Sequence, residues 1–572
     1  MSVPSSACRH SRFMWLLLLC SFAVRLAWLL TYPRVIENEG AQYARLAQNL
    51  FSHNGYQDMR GPTTILSPLY PLLMGAVSLV TKNVELSGRL ISLLLGSLVP
   101  LVVYLIVDRI YGAQTARVAG LFAAAHPLLI ALSASVYSEM GYIFFWLVAL
   151  YWTLITLQKG RFWAAIWAGT FAGLAYLVRP EGLLFAFLFA LWLPAAAWLV
   201  YSGSRVLWQR SAVLVCASLI LAAPFICFLS SETGHFSWEG KSSTNDVINL
   251  RLSQGMSYQD AGAGLGPNLH NRGIFLLNND VLIAKYYPVS FGQKLHLLTD
   301  RWPSRSLALL NVLLRARYLG APLIFLLAIA GLFGGPWNRV RLAYEALLCS
   351  MAALVFLILT SVHFVWDRFL FLALPVVLIW AARGAVNCAT WLSNAAESLM
   401  LLRRNERSFD AAGTVRNRCV VTTACAILFL PAVLAGIHIR AVGEFAESRW
   451  IEHKNAGRWI AAHFPASAKI TVVSLDMISA YYANATARVL PEADSLTAAA
   501  YIHRINPDFV VLWGQEKFQR PYVEEWIDNG IPDPCANLVY QDGIDVDHRL
   551  VIYKWTCSHS ESRLESLPAV YR

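Results

Sequence analysis

The chain has 572 residues, of which 57% are hydrophobic and 14% charged, and its mean hydropathy is +0.49. A soluble domain carries roughly a quarter charged residues, so a purely soluble protein is excluded. The apolar residues cluster in runs such as Met14 to Leu30 and Leu121 to Leu132. These runs lack the in-out alternation of an outer-membrane barrel. Runs near about 20 residues cross the hydrocarbon core as helix. The formal net charge of +11 sits largely in short loops between the runs, where it orients the chain in a membrane and does not mark a nucleic-acid partner.

In chain order, about eleven spans are expected, the first over 13–31. Arg9 and Arg12 precede it and Tyr32, Pro33 and Arg34 follow, without a small-residue cleavage site, so it reads as an uncleaved first helix. A polar stretch, 32–67, leads to 68–82, which reads as interfacial. Spans then follow over 88–107, 117–134, 140–157, 162–178, 183–201 and 211–229. After a second polar stretch come 318–334, 343–361, 369–387 and 420–438. The expected fold is therefore an α-helical polytopic membrane protein of about 11 transmembrane helices with a small C-terminal α/β domain. The expected division is a transmembrane domain, 1–440, with outer loops 32–87 and 230–317, followed by 441–572.

One set of loops is basic: Arg109 and Arg117, Lys159 and Arg161, Arg205 and Arg210, Arg339 and Arg341, and the cluster from Arg403 to Arg418. By the positive-inside rule these are cytoplasmic, which turns every long non-helical segment outward. The expected location is the plasma (inner) membrane, multi-pass, with 441–572 extracytoplasmic. In that region Ala456 to Phe464 reads as helix, ITVVS (470–474) as strand, Ser495 to Ile505 as helix, and 508–513 and 550–555 as strands. No glycine-rich phosphate loop occurs in it, which favours a lid or acceptor-docking role. Cys535 and Cys557, unlike most of the ten cysteines, lie in this polar region and are candidates for a disulfide.

The most distinctive stretch begins at Glu37-Asn38-Glu39-Gly40. Tyr43, Leu46, Ala47 and Leu50 follow at i, i+3, i+4 and i+7, an apolar stripe on a helix expected to lie flat in the membrane interface. Glu39 falls at that helix's N-terminus, where the dipole favours a carboxylate. A cap within a solvated acidic patch is the alternative. Glu139, at the outer start of a span, is costly near hydrocarbon and so a functional candidate; a helix N-terminal carboxylate capped by Ser138 is its alternative. Arg179 and Glu181 flank Pro180 at another span end and are able to pair with each other. Arg60, Arg179, Lys241 and Arg368, with His363, are the outward-facing cations available to a phosphate; snorkelling is the alternative. Trp238 and Tyr258 suit either sugar stacking or ordinary interface placement.

The acidic stretch after the first span, with Gly55-Tyr56, Ser67-Pro68-Leu69-Tyr70-Pro71, Ala125-His126-Pro127, Ser138-Glu139, Arg179-Pro180-Glu181-Gly182 and Asp367-Arg368-Phe369 with Pro375, resembles the C-type (GT-C) glycosyltransferases. The likeness is to the protein O-mannosyltransferase and aminoarabinose transferase group and covers about residues 12–385. It implies a hexosyl- or pentosyltransferase that takes sugar from a polyprenyl-phosphate donor to a glycan, lipid or protein acceptor outside the cytoplasm. The first-loop carboxylate of such enzymes acts on the acceptor hydroxyl, a role that falls on Glu39, with Glu37 as fallback. Glu139, from its own position, is the second catalytic candidate, to orient the acceptor or help hold a cation. Tyr43 of the same motif and the cations above are the implied substrate contacts, Arg368 foremost because Asp367 can orient it. Glu37, Glu39, Glu139 and Asp367 could converge on a hard cation, but a metal is not compelled, and the resemblance points to a group that needs no cofactor. A secondary transporter or a lipid-linked sugar flippase is the alternative function. Those proteins usually carry internal repeats and midplane polar groups, neither of which is evident here.

Overall fold

The computed structural model describes residues 6–32, 35–201, 205–266, 269, 272–277, 281, 283, 289–315, 321–362, 367–404, 450–464, 469–543 and 545–557. The chain forms two compact units, Met1–Arg34 with Leu66–Glu239 and Phe291–Ala446, and Val35–Ile65 with Gly240–Ser290 and Glu447–Arg572.

The first unit is a helical membrane bundle. Its helices are α1 (Ser6–Thr31), α3 (Leu69–Thr81), α4 (Val84–Tyr111), α5 (Ala113–Ala125), α6 (Pro127–Ser133), α7 (Glu139–Lys159), α8 (Phe162–Val178), α9 (Glu181–Tyr201) and α10 (Arg205–Thr233). It continues with α13 (Phe291–Arg315), α14 (Ala321–Phe333), α15 (Arg339–Ser361) and α16 (Leu374–Arg404). Among the described residues seven helices are long and apolar enough to cross a membrane, or eight if α5 and α6 count as one bent span. The expected span 420–438 lies outside the described residues. Helices α14 and α16 meet backbone to backbone: a Cβ on Gly331 would lie 1.9 Å from the Trp380 carbonyl oxygen, and one on Gly384 1.8 Å from that of Leu327. Small residues at such crossings replace the hydrophobic drive that lipid does not supply. Glu345 of α15 ties α4 and α16 to it, accepting from Tyr111 Oη at 2.7 Å and Trp380 Nε1 at 2.8 Å beside Arg341 and Arg383.

The single span expected over 117–134 is instead two helices bent by 55°. The cause is Pro127, which has no N–H for the Ala123 carbonyl and so breaks the ladder. The Leu128 N–H, the ordinary partner of Ala124, turns to His126 Nδ1 at 3.2 Å. Both orphaned carbonyls are taken by Arg25 of α1, whose Nη2 reaches Ala123 O at 3.2 Å and Nη1 Ala124 O at 3.0 Å.

The second unit joins Val35–Ile65, Gly240–Ser290 and the C-terminal region. Its sheet consists of β1 (Thr471–Ser474), β2 (Thr486–Val489), β3 (Phe509–Trp513), β4 (Ala536–Asp542) and β5 (Leu550–Trp555), in the order β2-β1-β3-β5-β4. β1 runs parallel to β2 and β3, and β5 runs antiparallel to β3 and β4. β3, buried along its whole length, is a continuous apolar run, as a central strand covered on both faces must be. Helices α17 (Ile451–His463), α18 (Ile478–Tyr482), α19 (Ser495–Ile505) and α20 (Tyr522–Asn529) accompany the sheet. The loop segments bring α2 (Asn38–Phe51), α11 (Lys241–Ser253) and α12 (Tyr258–Ala263). They dock through backbone: Ala487 N donates to Met59 O at 3.0 Å, and Glu492 N to Ala263 O at 2.8 Å. A disulfide joins Cys535 to Cys557.

Candidate active site

In the membrane unit, Glu139 stands in the first turn of α7 with no exposure to solvent. Arg179 leaves the end of α8 in an extended conformation, φ −150° and ψ 135°, as the following Pro180 requires. Its Nη1 lies 3.6 Å from Glu139 Oε1 and its Nε 3.7 Å from Glu181 Oε2. The guanidinium is thus held by carboxylates at the heads of two helices. Ser138 does not cap α7 with its side chain; Arg179 Nη1 donates to its hydroxyl at 3.4 Å. The Arg179–Glu181 pairing is present too, so neither simple alternative accounts for the cluster alone.

Arg179 also lies over the Phe371 ring, 5.4 Å from its centroid, and Tyr142, one turn along α7, meets the same ring edge-on at 6.3 Å. Phe371 belongs to the short 3-10 helix Asp367–Leu372. The segment bearing Arg368 therefore packs beside the Glu139–Arg179 cluster. His363 lies outside the described residues.

In the second unit, Glu39 occupies the first turn of α2, half-buried, after Glu37 as extended N-cap residue. The stripe residues Tyr43, Leu46 and Ala47 are buried by protein, at 1% exposure or less. This corrects the expectation of a helix lying flat on lipid, because the stripe is a core face. The helix is fixed by polar side chains: Asn38 Oδ1 accepts from Met477 N at 2.7 Å, and Asn38 Nδ2 donates to Asp476. One turn further, Arg45 donates to Asn484 Oδ1 and to the Tyr481 carbonyl, at 3.4 Å for the latter. Burial lowers the Arg45 pKa below its ordinary value. Tyr482 Oη accepts from Ile36 N at 3.4 Å. Helix α2 is thereby seated on α18.

Arg60 serves a local turn, its backbone N–H donating to Asp58 Oδ1 at 2.7 Å and its Nη2 lying 3.5 Å from Asp58 Oδ2. Lys241 opens α11 and is half-buried. Gly240 before it has no room for a side chain, since a Cβ would stand 1.9 Å from the Thr64 carbonyl oxygen. Trp238 accepts from Tyr176 Oη through its carbonyl at 2.7 Å, and Tyr258 is 40% exposed.

Residues 65–230 match the model of the family described as dolichyl-phosphate-mannose-protein mannosyltransferase. The structure is similar to archaeal oligosaccharyltransferase AglB from Archaeoglobus fulgidus, in complex with an inhibitory peptide and a dolichol-phosphate, at TM-score 0.60 and 13% identity over 90% of this chain and 72% of that one. It is also similar to ArnT from Cupriavidus metallidurans bound to undecaprenyl phosphate, at TM-score 0.53 and 13% identity over 96% of this chain and 98% of that one. The chain has the C-type glycosyltransferase fold. No curated protein matches it significantly.

Within this C-type fold, the stretch matched by the family model holds Glu139, Arg179 and Glu181, whereas Glu39 and the α/β region fall outside it. Arg25, Tyr142, Asn38 and Asp476 escaped the reading of the sequence. For Arg25 a signal exists, a lone cation inside an apolar run. Asn38 and Asp476 are 438 residues apart, and no local pattern links them.

Proposed function

We propose that this multi-pass membrane protein transfers a sugar from a polyprenyl-phosphate donor to an acceptor hydroxyl on the extracytoplasmic face of the inner membrane. Glu39 takes the acceptor proton while the acceptor oxygen attacks the anomeric carbon; the bond from that carbon to the phosphate oxygen breaks, and polyprenyl phosphate leaves with the electron pair. A positioned base of this kind is worth about 10²–10⁴-fold in rate. Arg179 stabilises the departing phosphate, with Glu139 and Glu181 setting its orientation, a task suited to a planar guanidinium. Arg368, His363, Arg60 and Lys241 are assigned as further substrate contacts, and Tyr43 as the residue that supports Glu39 from the buried face of α2. The mechanism draws on no cofactor.

The observation that carries this reading is Glu39 in the first turn of a helix pinned at Asn38 and Arg45, in a chain with the fold of AglB and ArnT. Those two structures hold dolichol-phosphate and undecaprenyl phosphate. The Cys535–Cys557 disulfide supports an oxidising, extracytoplasmic location for the α/β region. Glycan and lipid profiling of a strain lacking the protein, complemented by wild type or by Glu39→Gln, tests the proposal. Loss of one surface glycoconjugate in the deletion and in the Glu39→Gln strain is expected. No change in any glycoconjugate on deletion favours the transporter or flippase reading, for which the broken span α5–α6 is a structural feature in favour.

A further inference from the structure

His453 in the first turn of α17, Asp476 just after β1 and Glu516 just after β3 each place one ligand-type atom within 4.8 Å of the other two. None of the three takes part in the sugar-transfer scheme. Asp476 and Glu516 follow the carboxyl ends of adjacent parallel strands, where open α/β sheets bind ligands.

Both partners of this cluster that lie deepest have a buried atom to spare. His453 has no exposure, and Glu516 is 2% exposed. Ser479 Oγ donates to the His453 carbonyl at 3.3 Å, so it accepts from His453 Nδ1 at 2.9 Å. With Nδ1 as the donor to this hydroxyl, Nε2 carries the lone pair. His453 Nε2 has no hydrogen-bond partner. Glu516 Oε2 accepts from Trp513 N at 3.2 Å, while its Oε1 also has none. Two carboxylates this close repel one another, and a bound cation relieves that repulsion. An imidazole whose second nitrogen is held by a hydroxyl is in the form that binds metal.

We propose that His453, Asp476 and Glu516 form a divalent-metal site of the zinc type, which fastens α17 to the ends of β1 and β3. Imidazole with carboxylate oxygens is a ligand set that Zn²⁺ accepts. Asp476 also holds Asn38, so the same ion steadies the start of α2.

The test uses the full-length protein in detergent, stripped with a chelator, reloaded with Zn²⁺ and desalted, with metal content read by mass spectrometry. Wild type is expected to retain about one Zn²⁺ per chain, and His453→Gln and Glu516→Gln far less. Chelation is expected to lower the unfolding temperature of wild type, with recovery on reloading. Asp476→Asn, at a half-buried position, keeps the test open if either buried substitution prevents folding. A wild-type protein that retains no Zn²⁺, or equal retention by all the folded variants, overturns the site. Metal content is read without sugar transfer, so failure here leaves the transferase reading standing, and the reverse also holds.

Discussion

Asn38 grips the loop after β1 with both ends of its amide, accepting from the Met477 N–H at 2.7 Å and donating to the Asp476 carboxylate. The N–H can only donate, so it fixes which end of the amide is oxygen and leaves the NH₂ for Asp476. Glu39 is the next residue, and its backbone inherits that placement. Asn38→Ala is expected to lower kcat about tenfold with little change in KM, because the base is misplaced while the substrate contacts remain. Steady-state kinetics on purified protein checks this; a rise in KM alone would assign Asn38 to binding.

Arg179 and Glu139 form a buried pair, 6% and 0% exposed at their side chains. Removing one partner strands a charge in a dry environment, so Arg179→Ala is expected to cost about 3–5 kcal/mol of stability. The double variant Arg179→Ala, Glu139→Gln should recover part of that loss. A double-mutant cycle of unfolding free energies measures it, and simple additivity would show that the two residues do not act as a unit.

Arg25 repairs the break at His126–Pro127. Arg25→Leu leaves the Ala123 and Ala124 carbonyls without their donor, at an expected cost of about 2–4 kcal/mol for the two together. Arg25→Lys should restore part of it. Denaturant titration in mixed micelles reads the difference, and wild-type stability of Arg25→Leu would mean that the bend is held by other contacts.

The Cys535–Cys557 bridge links cysteines 22 residues apart. Its loss in Cys535→Ser/Cys557→Ser is expected to destabilise the α/β region by about 3 kcal/mol. Alkylation of the unreduced wild-type protein, followed by peptide mass spectrometry, should leave both cysteines unlabelled. Labelling of both would place the region in a reducing compartment.

Much of the fold was legible because its signals are local. ITVVS and the segment DFVVLW read as strands since buried central strands are apolar runs, and both became β1 and β3. β4 escaped because most of it is exposed at the sheet edge, and β2 because its four residues alternate too briefly to register. The stripe of α2 announced a helix, yet periodicity cannot say whether lipid or protein covers it; Tyr43 at 1% exposure decides for protein. Glu139 and Arg179 stood out as charges at span ends, but their pairing depends on how α7 and α8 pack. The bend at Pro127 was masked by the apolar run around it.

The most direct measurement of the central claim is the level of polyprenyl-phosphate-linked sugar in membrane extracts, read by mass spectrometry of lipids. A donor that wild type consumes should accumulate in the deletion strain and equally in the strain carrying folded, membrane-inserted Glu39→Gln. A Glu39→Gln strain whose donor level matches wild type while the deletion accumulates it would contradict the assignment of Glu39 as the base.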